Sequence, residues 1–139
     1  MDNTTSITVE TIINVPVEVV WQYWTDPEHI TQWNYASDEW HSPHAQNNLN
    51  VGGKFLYRME AKDGRFGFDF SGSYTVVVSN EQIKYTLDDG RKVQINFLSQ
   101  EDATKITEIF EAETENAIEM QKDGWQSILD NFKKYVEAN

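Results

Sequence analysis

The chain contains no cysteine, and that one absence removes disulfides, thiolate nucleophiles and cysteine-ligated zinc together. Cations are scarce: 11 lysines and arginines stand against 23 acidic residues, for a formal charge of −12. Such a surface repels phosphate backbones and anionic headgroups, which argues against nucleic acid as a partner. A solvated acidic face is also an ordinary route to solubility, so the charge names no partner of its own. Mean hydropathy is −0.63, and no apolar run approaches the roughly 20 residues a membrane-spanning helix needs, so no membrane insertion is expected. Met1 to Ser6 is polar and lacks the basic-then-apolar order of a secretory signal, which points to the cytoplasm. No repeat, linker or low-complexity tract interrupts the 139 residues, so a single domain over 1–139 is expected.

What the chain does have is a closing amphipathic segment, Asn116 to Glu137. Ile118, Trp125, Ile128, Leu129, Phe132 and Val136 recur at helical spacing and share one face. Asn116 with Glu119 three residues on resembles a capping box, with asparagine in the serine position. Two residues fit poorly. Gln121 falls inside the apolar face, and Gly124 sits on its edge, where glycine costs a helix roughly 1 kcal/mol relative to alanine. They suggest that part of the stripe faces a space, a water or a ligand. Alternatively, the Gln121 amide satisfies a backbone group, and Gly124 admits a bulky neighbour.

Ahead of this segment, Ile7 to Ile13 is rich in β-branched residues and reads as a strand ended by Pro16. Val17, Val20, Trp21 and Trp24 then follow helical spacing, with the proline in the first turn. Asp26-Pro27 starts a second short helix bearing Ile30 and Trp33. Periodicity is lost from Asn34 to Gly53, which predicts a long loop. Five strand-like runs follow: Lys54 to Ala61, Phe66 to Val78, Gln82 to Leu87, Lys92 to Leu98 and Thr104 to Ala112. Asp63-Gly64 and Asp89-Gly90 are strong hairpin turns between them; Ser79-Asn80-Glu81 and Gln100-Glu101-Asp102 are weaker ones. The order β-α-α-β5-α keeps strands and helices apart. It predicts an α+β fold with a six-stranded antiparallel sheet, two short helices and a long C-terminal helix.

A sheet covered on one face by one helix turns its apolar parity toward that helix. That parity is Phe55, Tyr57 and Met59 in one strand, and Phe66, Phe68, Phe70, Gly72, Tyr74 and Val76 in the next. It continues with Ile83, Tyr85 and Leu87, then Val93, Ile95 and Phe97. In the last strand Ile106, Glu108 and Phe110 form one set and Thr107, Ile109 and Glu111 the other, so Glu108 points either inward or to solvent. If inward, it joins Gln121, Tyr57 and Tyr85 as polar groups in an aromatic interior. Apolar walls with a few convergent polar groups are how small-molecule pockets are lined, although each aromatic taken alone reads equally as core. The expected ligand contacts are Tyr57, Met59, Phe68, Phe70, Tyr85, Phe97, Glu108, Phe110, Gln121 and Trp125, with Trp40 guarding the mouth from the long loop.

Other chemistry finds little support. His41 and His44, with Asp38 and Glu39 nearby, lie in a proline-containing loop that does not fix a ligand spacing, so no metal is expected. No nucleophile elbow or phosphate-cradling loop is present, since Gly52-Gly53 leads into a strand, and no cofactor is expected. General acid/base work by Glu108, assisted by Tyr57 or His41, is the enzymatic alternative. Binding is favoured over catalysis because no second catalytic partner can be placed.

Several motifs carry a family resemblance. They are Val15-Pro16 followed by Val20-Trp21, the run Trp24-Thr25-Asp26-Pro27 through Trp33, Val51-Gly52-Gly53-Lys54-Phe55, Met59-Glu60-Ala61-Lys62-Asp63-Gly64, Tyr85 through Arg91, and Gly124-Trp125. In this order and spacing the chain resembles the Bet v1/START-like helix-grip (SRPBCC) superfamily. Within it, the chain is similar to proteins like the C-terminal domain of the Hsp90 ATPase activator. Asn50 stands where that family often carries arginine. The resemblance implies a curved antiparallel sheet gripping the C-terminal helix over a cavity that the short helices partly close. It also implies uses that range from lipid or polyphenol carriage through polyketide cyclisation to co-chaperone action. The activator carries a further domain ahead of this one, whereas this sequence opens on the first strand, which argues against full co-chaperone action. The expectation is a cytoplasmic monomer or weak dimer that binds a small hydrophobic ligand: lipid-like, polyketide-like or aromatic. The alternatives are a cyclase or hydrolase using Glu108 and a module with weak chaperone interaction.

Overall fold

A computed structural model describes residues 5–139; residues 1–4, which open the polar segment weighed above as a signal, lie outside them. The chain runs β1 (Ser6–Ile13), α1 (Val17–Thr25), α2 (Pro27–Trp33), β2 (Trp40–Asn47), β3 (Lys54–Ala61), β4 (Gly67–Val78), β5 (Gln82–Leu87), β6 (Lys92–Gln100), β7 (Ala103–Glu111) and α3 (Ile118–Glu137). All strands join one curled antiparallel sheet in the order β1-β7-β6-β5-β4-β3-β2. Sequence-adjacent strands pair from β2 to β7 because each connection is tight. Gly52, Gly64, Asn80, Gly90 and Glu101 take positive φ, one in each of the five connections. The α+β helix-grip class is as expected.

The sheet has seven strands, not six. β2 occupies the stretch read as loop, and its inward positions explain why it was missed. Ser42, Ala45 and Asn47 are small or polar, so no apolar alternation marks the strand. Hydrogen bonds anchor it instead: Ser42 Oγ donates to the Arg58 carbonyl (2.9 Å) and Asn47 Nδ2 to the Thr25 carbonyl (2.7 Å). Pro43 sits in the irregularity between His41 and His44 on this edge strand, where a missing donor is tolerated.

Two parity expectations in β4 also fail. Phe66 precedes the strand and is 70% exposed. A bulge between Tyr74 and Val76 shifts the register, so Val77 rather than Val76 lies opposite Ile83 and packs on the core. Gly72 is required by packing. A Cβ there would come within 2.5 Å of the Thr86 carbonyl and 3.2 Å of the Phe55 ring.

Asp26 caps α2 by accepting the Glu28 N–H (2.9 Å), with Pro27 at the first helical position. The capping box foreseen at Asn116 does not form, for Ala117 stands at the N-cap of α3 without a side-chain cap. α1 and α2 close one end of the sheet. Trp24, Trp33 and Phe132 meet there at ring distances of 4.7–5.0 Å. Asn131 Nδ2 donates to the Trp33 carbonyl (2.7 Å), and His29 Nδ1 lies 2.8 Å from the Tyr135 hydroxyl, binding α2 to α3. Among the described residues no helix is long and apolar enough to cross a membrane.

Candidate functional site

Between the sheet and α3 the side chains leave a cavity of about 270 Å³. Its walls are Tyr57 and Met59 from β3, Phe68, Phe70 and Tyr74 from β4, Ile83 and Tyr85 from β5, Ile95 from β6 and Glu108 from β7. Trp125 and Ile128 cover it from α3, Trp24, Trp33 and Asn34 close the end under the short helices, and Arg91 lines the end at the β5–β6 turn. The strands deliver these side chains because residues two apart share a face.

Glu108 takes the inward parity, paired with Val9 on β1 and Ile95 on β6, and is 5% exposed. Burial pushes its carboxyl up to about 8, with no hydrogen bond or charge offsetting the desolvation. At neutral pH it is therefore largely un-ionised, able both to donate and to accept a hydrogen bond. The Tyr85 phenol is pushed well above its ordinary value by burial first and then by nearby Glu108, while Arg91 pulls the other way. Burial likewise raises Tyr57, with Tyr74 and Tyr85 adding to it. What exposure Tyr57 retains fits its place on the cavity wall. Tyr74 is pushed up to about 12 by burial, against the pull of its hydrogen bonds with Tyr57 and Asn47. The cavity thus presents neutral hydrogen-bonding groups and one cation.

Of the sequence-derived contacts, Tyr57, Met59, Phe68, Phe70, Tyr85, Glu108 and Trp125 meet around this space. The other four sit elsewhere. Phe97 packs edge-on to Trp21 and Trp24. Phe110 lies behind Trp125, stacked at 3.8 Å and 10°, and so fixes the indole from the sheet side. Trp40 opens β2 and meets Phe68 at 6.0 Å, rather than reaching from a loop. Gln121 is a fastener. Its Oε1 accepts the Glu113 N–H (2.9 Å), and its Nε2 donates to the carbonyls of Glu113 (3.1 Å) and Asn116 (2.9 Å), tying the β7–α3 connection to the helix.

Tyr74, Ile83, Ile95, Trp24 and Ile128 had the right parity or stripe position and could have been added from the sequence. Arg91 and Asn34 carried no such signal. His41 lies 3.7 Å from Glu60, and among the described residues no cluster of three or more potential ligands is placed to hold a metal.

Gly124 has open space beside it: an added Cβ meets no atom within 4 Å. Close approach therefore does not explain the glycine. Gly124→Ala is expected to stabilise the protein by about 1 kcal/mol through helix propensity. Thermal unfolding checks this, and an unchanged or lowered midpoint would show that the glycine serves packing after all.

The comparisons agree with this architecture. The family model described as "Activator of Hsp90 ATPase homolog 1-like protein" matches residues 14–137. A solution structure of an AHSA1-like protein from Aeromonas hydrophila is 45% identical, covers 96% of this chain and 93% of its own, and superimposes with a TM-score of 0.90. A protein from Cytophaga hutchinsonii is 50% identical at the same coverages, 96% and 93%, with a TM-score of 0.83. A protein from Chromobacterium violaceum shares the fold at 20% identity, with a TM-score of 0.83 over 96% of this chain and 98% of its own. No protein with a curated description matches the chain. With both short helices, strands β2 to β7 and the closing helix inside the matched region, the chain belongs to the family of activator-of-Hsp90-ATPase-homolog-1-like proteins.

Proposed function

We propose that the protein binds a small, largely apolar, aromatic molecule in the cavity under α3. One observation carries this reading: a space of about 270 Å³ left open among aromatic side chains, with the Glu108 carboxyl on its wall. A space lined only for packing would be closed by its own side chains, since interiors are otherwise as dense as organic crystals. The volume sits just below the range of about 300–1,000 Å³ typical of drug-sized ligands. That size favours one or two fused rings over a long acyl chain or a sterol. Tyr57, Met59, Phe68, Phe70, Tyr85 and Trp125 supply the contacts, and Glu108 a hydrogen bond. On this reading the chain is a single-domain cytoplasmic binder.

Trp24, Trp33 and Trp125 line the cavity, so indole emission reports its occupancy. Titration with planar bicyclic compounds is expected to give a saturable change in fluorescence, and fatty acids of 16 carbons none. A diverse planar panel without any saturable response would remove the proposal. The raised Glu108 carboxyl favours one second reading, general acid catalysis on a bound cyclic substrate, because such an acid keeps its proton near neutral pH. Association with a chaperone ATPase rests on family likeness alone.

A further inference from the structure

Among the described residues Arg91 is the one cationic side chain on the cavity wall, in a chain of net charge −12. It sits just ahead of β6, where the β5–β6 hairpin closes: its carbonyl accepts the Leu87 N–H at 2.8 Å. Asp89 braces it from the turn. The Asp89 carboxylate accepts from Arg91 Nε at 2.8 Å and from the Arg91 backbone N–H at 3.1 Å. That grip uses one edge of the guanidinium. Its two terminal nitrogens have no hydrogen-bond partner among the described residues. Glu113 feels the Arg91 charge without bonding to it; its carboxylate accepts from the N–H groups of Glu115 (3.0 Å) and Asn116 (2.9 Å). The arginine side chain is 24% exposed, so it is largely withdrawn from water.

Glu108 does not neutralise it. The two line the same cavity without forming an ion pair, and Tyr85, whose phenol responds to both charges, lies near each. With Glu108 largely protonated at neutral pH, Arg91 is the charge on the cavity wall, and its counter-charge, Asp89, lies in the turn outside that wall. A planar guanidinium with one free edge matches a carboxylate in shape and charge, and a partly desolvated site strengthens the pair.

We infer that the cavity selects an aromatic monocarboxylate, its carboxylate on the free edge of Arg91 and its ring among Phe70, Tyr85 and Trp125. This rests on the binding reading above and adds the charge of the ligand to it. The protein's overall field repels an anion. A preference for one therefore has to come from Arg91 locally. Asp89 and Arg91 together act as a preset anchor, and the un-ionised Glu108 leaves the anion unopposed while offering a hydrogen bond to a hydroxyl on the ring.

Calorimetric titration of the full chain at pH 7 with three probes of one ring size tests this: 2-naphthoate, 2-naphthylmethanol and 2-naphthylmethylammonium. Naphthoate is expected to bind at least tenfold more tightly than the alcohol, with the ammonium weakest. Arg91→Gln is expected to lower naphthoate affinity at least tenfold and to abolish the preference for naphthoate over the alcohol. Arg91→Lys, which keeps the charge without the fork, falls between. If the alcohol binds as tightly as naphthoate, or Arg91→Gln leaves naphthoate affinity unaltered, the inference fails while the cavity reading stands. If none of the three binds, both fail. Should Arg91→Gln not fold, as its thermal transition would reveal, the ranking of the probes on the unaltered protein decides.

Discussion

Phe132→Ala is expected to lower the unfolding free energy by about 3–5 kcal/mol, the range for deleting a fully buried phenylalanine. Against the roughly 5–15 kcal/mol that holds a domain together, this is severe. Phe132 is 0% exposed and presents its ring edge-to-face to both Trp24 (4.9 Å, 77°) and Trp33 (4.7 Å, 72°). It is where α3, α1 and α2 converge. Edge-to-face pairs add about 0.5–1.5 kcal/mol beyond their area, and both are lost together. Trp33 cannot readily move into the gap, because its Nε1 donates to the Tyr23 carbonyl at 2.9 Å and its own carbonyl accepts from Asn131. The measurement is urea unfolding followed by tryptophan emission, with an unchanged slope and a lowered midpoint. A loss below about 1 kcal/mol would mean that the helices collapse onto the space, and that α1 and α2 are held by other contacts.

Glu108→Gln is expected to change the pH dependence of stability. In the folded protein the carboxyl titrates at about 8, against 4.5 for the ordinary side chain. Between those values the native state holds a proton that the unfolded chain has released. Stability therefore falls as pH rises through the window, by up to about 1.4 kcal/mol per unit, and levels off above the folded value. Glutamine has the shape of the un-ionised acid and no proton to lose. The variant should match the unaltered protein near pH 4.5 and exceed it by roughly 2–4 kcal/mol at pH 8.5, the cavity's access to water trimming the full linkage value. Self-repulsion of the acidic surface affects both proteins and cancels in the comparison. Parallel stability profiles from pH 4.5 to 8.5 would show that the folded carboxyl titrates as it does in the unfolded chain, and would undercut the charge balance assigned to the cavity.

Both predictions start from positions that the sequence marked. Phe132 belongs to the apolar stripe of the closing helix, and Glu108 interrupts an apolar parity. For Glu108, though, two orientations were open, and only pairing with Val9 and Ile95 selects the inward one. Gln121 shows the opposite case. Its place in the stripe pointed equally to a pocket and to a backbone anchor, and three hydrogen bonds to residues 113 and 116 make it the anchor. The second strand was invisible because hydrogen bonds at Ser42 and Asn47, rather than apolar alternation, hold it. The β4 bulge was invisible for a related reason: Val76 and Val77 are equally apolar, so their order carries no information about which faces the core.

The sequence by itself determined the class of fold, four of the turns and most of the faces. Period-two and period-3.6 patterns, with glycine or asparagine at most of the positions where φ turns positive, are local properties of the chain. Only the tertiary structure decided that the sheet and closing helix stand far enough apart to leave a cavity, that Glu108 enters it, and that Arg91 reaches it from a turn. The physical reason is that a cavity is a difference between the volume enclosed by elements distant in sequence and the volume their side chains fill. A pattern along the chain says which way a side chain points, whereas what it meets there depends on the strand or helix opposite.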